Sequence, residues 1–179
     1  MDNGACSYSR YLDGDRDAFE EIMKELFPSL LYFINSYVHD EHTAEDLAID
    51  AFTELIVHPR RYNFKVTLKT YLFTIGRSRA LDHLKRKKII EFCPLSPAED
   101  RAETETPQSL LEKEERILAV RKAIESLAPD IREAVYLVYL EEMTYNEAAQ
   151  IMKKSKKQID NLLYRGKKEL KNTLGKELF

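Results

Sequence analysis

Between residues 18 and 37 apolar side chains return every three or four positions: Phe19, Ile22, Met23 and Leu26, then Leu30, Phe33, Ile34 and Tyr37. That period marks one face of an amphipathic helix. Pro28, which has no N–H to give the helical ladder, is expected to kink or split it. A second stripe, Ala44, Leu47, Ala48, Ala51, Phe52 and Leu55, follows a Thr43–Asp46 pair spaced like a capping box and ends before Pro59. A third helix is expected from about Thr67 through Leu68, Leu72, Ile75 and Leu84 to the lysine- and arginine-rich run 85–88, whose positive charge suits the negative end of a helix dipole.

Residues 91–112 break the rhythm, with three of the six prolines and no sustained period. They read as an acidic, extended linker. Beyond it Ile117, Val120, Ile124 and Leu127 mark one helix. Pro129 opens another with Ile131, Ala134, Val135 and Val138 inward. Two reciprocal caps then stand eleven residues apart, Thr144 with Glu147 and Ser155 with Gln158, the second ahead of Ile159, Leu162, Leu163, Gly166 and Leu170. The expected fold is all-α: a helical domain over 1–90, a flexible acidic linker over 91–114 and a second helical domain over 115–179.

Composition adds limits. A chain of 179 residues that is 44% hydrophobic, with ten Tyr, eight Phe and five Gly, belongs with folded globular proteins. No apolar run approaches the roughly 18 residues of a membrane span, and the N-terminus lacks a signal-peptide layout. Stable membrane insertion is therefore not expected, and a cytoplasmic location is. Cys6 and Cys93 are far apart and suggest neither a disulfide framework nor a zinc site.

Charge changes the picture more. The net charge of -3 conceals two basic islands: residues 59–88 carry 10 basic and 1 acidic side chains, and 153–172 carry 8 and 2. Such blocks are the footprint of a polyanion partner, or else a solvated face. In the second island the cap spacing fits a helix-turn-helix, whose second helix enters the major groove, although the basic end of a helical bundle has the same spacing. Lys156, Lys157, Asn161, Tyr164, Arg165 and Lys168 fall off the apolar stripe, with Ser155 at the helix start. Lysines there neutralise phosphate, while Asn161 and Arg165 are able to pair bidentately with base edges. In the first island aromatic rings alternate with cations: Arg60, Arg61, Tyr62, Phe64, Lys65, Lys69, Tyr71 and Phe73. Rings beside cations suit stacked single-stranded bases, unless Tyr71 or Phe73 belongs to the core.

The runs DLAIDAFTELI (46–56), LKTYLFTIGRSRALDHLKRKK (68–88) and LAPDIREAVYLVYLEEMTYNEAAQIMKKSKKQIDNLLYRGKKEL (127–170) together resemble regions 2 and 4 of an extracytoplasmic-function (ECF) sigma factor of bacterial RNA polymerase. The resemblance spans residues 15–173. It implies that Asp46, Leu47, Asp50, Phe52 and Leu55 lie on the helix that docks on the β′ clamp of core polymerase, with the β subunit also in contact. It implies that Tyr62, Phe64, Lys65, Lys69, Tyr71, Arg77 and Arg79 serve the −10 promoter element, where a base of the non-template strand is flipped out. The helix from Ser155 through Lys156, Lys157, Asn161, Tyr164, Arg165 and Lys168 would read the −35 element. A monomer without catalysis, cofactor or metal is implied, with an anti-sigma factor as a further partner.

The chain departs from the usual family pattern at Ile49, where Gln is common. It departs again at Lys153 and Lys154 in the turn, and at Asp160, Leu162 and Gly166 in the following helix. Gly166 is expected to cost that helix up to about 1 kcal/mol against Ala. His39 and His42 with Asp40 and Glu41 sketch a metal site only faintly, and no nucleophile–base pair stands out. The residues themselves leave open two rivals, a stand-alone helix-turn-helix regulator with N-terminal dimerising or sensing helices and a protein-binding helical adaptor.

Overall fold

The computed structural model of the chain describes residues 4–91 and 119–174. The expected linker, apart from the helical Glu91, lies outside these residues, as do Ile117 and Cys93. Every regular element among the described residues is helical: α1 (Ala5–Leu12), α2 (Asp17–Val38), α3 (Glu41–Val57), a 3-10 turn (Pro59–Arg61), α4 (Leu68–Glu91), α5 (119–125), α6 (Pro129–Val135) running into a π-helical turn (Tyr136–Leu140), α7 (Tyr145–Met152) and α8 (Lys156–Leu174). The all-α expectation holds.

In the first half α2 is the central element, packed on α1, α3 and α4. The stripe read from the sequence is its buried face, with Ile22, Leu30 and Ile34 fully enclosed and Leu26 and Phe33 nearly so. Each such side chain contributes about 1.5–3 kcal/mol of burial. Pro28 does not split α2, which runs as one helix through it; proline removes one rung, and packing along the rest of the stripe outweighs that loss. The cap of α3 also differs from expectation. Asp40, in extended backbone, accepts the Thr43 N–H at 2.7 Å, so the helix begins one turn earlier than a Thr43–Asp46 box would place it.

Helix α1 was not among the elements expected from periodicity. Its one fully buried residue, Tyr8, lies edge-on to Tyr62 with ring centres 5.5 Å apart and donates its hydroxyl proton to the Leu55 carbonyl at 2.9 Å. This short helix is therefore tied both to the end of α3 and to the segment that follows it.

In the second half α6 and α7 both pack on α8, around Ile131, Ala134, Val135, Ala148, Ile151, Ile159 and Leu163. Pro129 occupies the first turn of α6, as its fixed φ favours. At its end the Glu141 N–H reaches back five residues to the Tyr136 carbonyl at 3.0 Å. That π turn swings Tyr136 across to the first half, where its ring stacks near Phe33 at 5.7 Å. Helix α7 also packs on α4, so the buried clusters of the two halves are continuous.

Candidate nucleic-acid interface

The turn between α7 and α8 is built from both expected caps. Thr144 and Glu147 form a full capping box. The Ser155 N–H donates to Gln158 Oε1 at 2.7 Å, and the Gln158 N–H returns to Ser155 Oγ at 3.3 Å. Lys153 ends α7 in left-handed backbone, φ 53°, a conformation glycine takes more readily. Lys154 is held by Asp130 at 3.1 Å. With Ile159, Leu163 and Gly166 buried, Ser155, Lys156, Lys157, Asn161, Tyr164, Arg165 and Lys168 all face solvent. Lys154, Gln158, Asn161, Leu162 and Arg165 line a shallow hollow of about 210 Å³ along this face. Four cationic residues, an amide and an exposed ring thus share one open surface, the donor set that phosphate and base edges require.

The first island divides. Tyr62 is buried, donating its hydroxyl to the Val66 carbonyl at 2.8 Å, and Phe73 is wholly in the core. Tyr71 is half-buried, its ring 5.2 Å from that of Tyr62, and its hydroxyl pKa is raised by burial and then by the nearby charge of Glu54. Phe64 and Lys65 are exposed, and Phe64 takes left-handed backbone, φ 60°, at the tip of the loop. A bulky residue holds such a conformation only where its surroundings enforce it. Here the rings of Tyr62 and Tyr8 lie 4.7 and 6.2 Å away. Arg79 is engaged by Asp50 at 3.2 Å and Glu54 at 3.4 Å, while Arg61 also pairs with Glu54.

On α3 Asp46 and Asp50 are exposed and Leu47 is half-buried, whereas Phe52 and Leu55 are shut in the core at 2% and 1% exposure. The latter two support the helix from within and form no part of its outer face. The apolar residues that do face out are Ile49, Ile56 and Val57, beside the two aspartates. The substitution of Ile for the family's usual Gln at 49 was the one sequence signal of this outer stripe.

Lys69 and Arg77 are covered by the second half. Lys69 Nζ lies 2.8 Å from Glu141 Oε2, and Arg77 donates to both carboxylate oxygens of Glu133, at 2.6 and 3.4 Å. Burial raises the Glu133 pKa against the opposing pull of Arg77. The hydroxyls of Thr67 and Thr70 each donate to Glu147 Oε1 at 3.1 Å. Among the described residues no group of three or more His, Cys, Asp or Glu is placed to hold a metal ion, and no helix is long and apolar enough to cross a membrane.

Two family models match: Sigma-70 region 2 over residues 22–89 and Sigma-70 region 4 over 117–170. The chain is 23% identical to the RNA polymerase sigma factor YlaC of Bacillus subtilis, over 90% of this chain and 94% of the relative. It is 27% identical to the ECF RNA polymerase sigma factor SigM of the same organism, over 85% and 92%. Among solved structures it shares its fold with the sigma factor RpoE in complex with the anti-sigma factor NepR from Bartonella quintana, at a TM-score of 0.67, 22% identity and coverage of 89% and 98%. It is likewise similar to CnrH in complex with the cytosolic domain of CnrY, at 0.66, 17% and 97% of each chain. The matches take in both halves. A stand-alone regulator, whose N-terminal helices would only dimerise or sense, does not account for the first.

Proposed function

We propose, from the premise that this chain belongs to the sigma-70 family of RNA polymerase sigma factors and within it to the ECF group, that three of its surfaces divide the work of promoter recognition. The outer face of α3, with Asp46, Leu47 and Asp50 and the apolar Ile49, docks on core polymerase. The loop carrying Phe64 and Lys65, with Tyr71, Lys69, Arg77 and Arg79 on α4, takes the −10 strand, and Tyr62 holds that loop from inside. The open face of α8 reads the −35 element.

The observation that carries this reading is the state of α8: a reciprocally capped helix whose Lys156, Lys157, Asn161, Arg165 and Lys168 all stand free of the core. Arg165→Ala is expected to cost about 1–3 kcal/mol of −35 binding and to relax base preference at one position. Lys168→Ala should weaken all sequences alike and reduce the salt slope by about 1. Promoter output from holoenzyme, measured on −35 variants across a salt series, separates the two; unchanged output for Arg165→Ala removes it from the reading face.

For the docking face, Ile49→Arg combined with Asp50→Lys is expected to abolish co-migration with core polymerase on gel filtration while leaving the circular dichroism spectrum unaltered, since both side chains are exposed. Retained co-migration would move the dock elsewhere. Work on core polymerase places the chain in the cytoplasm. The two similar structures, each a sigma factor held by another protein, support an anti-sigma factor as a further partner.

A further inference from the structure

A cavity of about 620 Å³ lies between the end of α2 and the α5–α6 segment, and none of its lining belongs to the three surfaces of the promoter reading. Sites for small molecules have this size, about 300–1,000 Å³, and combine apolar walls with a few placed polar groups. The lining runs from exposed residues, Tyr32, Arg121 and Leu140, to the buried Glu133 and Tyr136, so the cavity opens to solvent.

Its aromatic wall is fixed in place. Tyr136 stacks on Tyr32 with ring centres 5.4 Å apart and planes 18° from parallel. Phe33, shut in the core, braces Tyr136 at 5.7 Å and Tyr37 at 5.3 Å. The Tyr136 hydroxyl lies 2.7 Å from Glu141 Oε1 and 3.1 Å from the Ser29 carbonyl. Rings held in this way offer flat apolar area with little further loss of conformational freedom on binding.

The charges sort by what they already meet. Of three carboxylates in the lining, Glu133 is engaged by Arg77 and Glu141 by Lys69, which leaves Glu125. Two guanidiniums share the lining, and among the described residues neither Arg121 nor Arg132 forms an ion pair. Arg132 gives one N–H to the Glu125 carbonyl at 3.1 Å, a bond that orients its planar head. Such a head matches the two oxygens of a carboxylate.

We propose that this cavity is a binding site for a planar aromatic carboxylate, with its ring seated among Tyr32, Tyr37 and Tyr136 and its carboxylate on Arg121 and Arg132. A doubly charged phosphate is the poorer match, because Glu125 stays unpaired beside the two arginines. The ligand touches α2, α5 and α6 together, and a ligand that binds only the folded chain stabilises it by mass action.

The test titrates the full chain with 2-naphthoate and with its uncharged counterpart 2-naphthamide, followed by calorimetry. One saturable site is expected, with 2-naphthoate bound about tenfold more tightly than the amide and raising the melting temperature. Arg121→Gln with Arg132→Gln should abolish that preference. Should the double variant lose helicity, Arg121→Gln alone, at an exposed position, should still reduce it. Arg86→Gln with Lys87→Gln makes the same change of charge on exposed α4 positions outside the cavity and should leave binding as it was. Tyr32→Ala should weaken both probes alike. Absence of saturable binding below about 5 mM, equal affinity for the two probes, or a preference that survives loss of both arginines overturns the carboxylate site. Undiminished binding by Tyr32→Ala overturns the aromatic seat.

Discussion

Gly166→Ala is expected to lower the melting temperature, against the usual effect of replacing a glycine inside a helix. Alanine in place of glycine ordinarily gains about 1 kcal/mol there. At position 166, however, an added Cβ would lie 2.9 Å from Ile131 Cγ2 and 2.9 Å from Val135 Cγ2, both on α6. Neither is the tip of a flexible chain, because β-branched side chains on a helix have little rotamer freedom. To admit the methyl, α8 must move away from α6, and overpacking of this kind costs about 1–3 kcal/mol. The net loss corresponds to about 2–4 °C for each kcal/mol in a chain of this size. Gly166→Leu should lose more and should uncouple α8 from its support, so that −35 binding fails while docking on core polymerase persists. Thermal unfolding followed by circular dichroism decides it; a higher melting temperature for Gly166→Ala would mean that α6 yields at no cost.

A second large effect is expected at Tyr8. Removing a wholly buried aromatic ring costs about 3–5 kcal/mol, and here the ring also backs Tyr62 and Phe64. Tyr8→Ala should thus destabilise the first half and blunt promoter opening, read as permanganate reactivity of the bubble at a temperature where the variant is folded. Tyr8→Phe keeps the ring and leaves the buried Leu55 carbonyl without its donor, at about 1–3 kcal/mol.

The hydroxyl adds a pH dependence. Burial, reinforced by Tyr11, Tyr71 and Tyr62, pushes the Tyr8 pKa from 10.0 up to about 12. The folded state therefore holds this proton more tightly than the unfolded chain does. Its contribution is complete below pH 10 and is lost as pH rises through about 12. Alkaline unfolding should accordingly be shallower for Tyr8→Phe over that interval. It should not vanish, because burial also raises Tyr37 and Tyr136.

What the sequence disclosed was local. The boxes at Thr144 and Ser155 could be read because each is completed within three residues, and the outer face of α8 followed from a stripe whose period is fixed by the helix itself. The same stripe on α3 already had Phe52 and Leu55 on its inner side, and the structure places them there. Lys69 and Arg77 show the opposite case. Within α4 they read as open charge, and their partners Glu141 and Glu133 lie 72 and 56 residues further on, beyond the reach of any periodicity. Helix α1 escaped notice because one buried tyrosine in eight residues makes no pattern. Gly166 was misjudged for a related reason: propensity describes a helix alone, whereas the glycine answers to the helix packed beside it.

The cap at the start of α8 has a bearing on how much this protein can discriminate. Gln158 is spent holding the Ser155 N–H, so its amide oxygen is not offered to a base edge. On the proposed reading of this face the base-pairing side chains left are Asn161 and Arg165, one helical turn apart. Four residues rise about 6 Å, and base pairs stack about 3.4 Å apart, so the two side chains address positions just under two steps from each other. Two fully read pairs single out roughly one site in sixteen, since each position offers four alternatives. In informational terms α8, used as proposed, would be a coarse filter, and a usable address in a genome would arise only when its few bits are multiplied by those of the proposed strand-binding surface on the same chain.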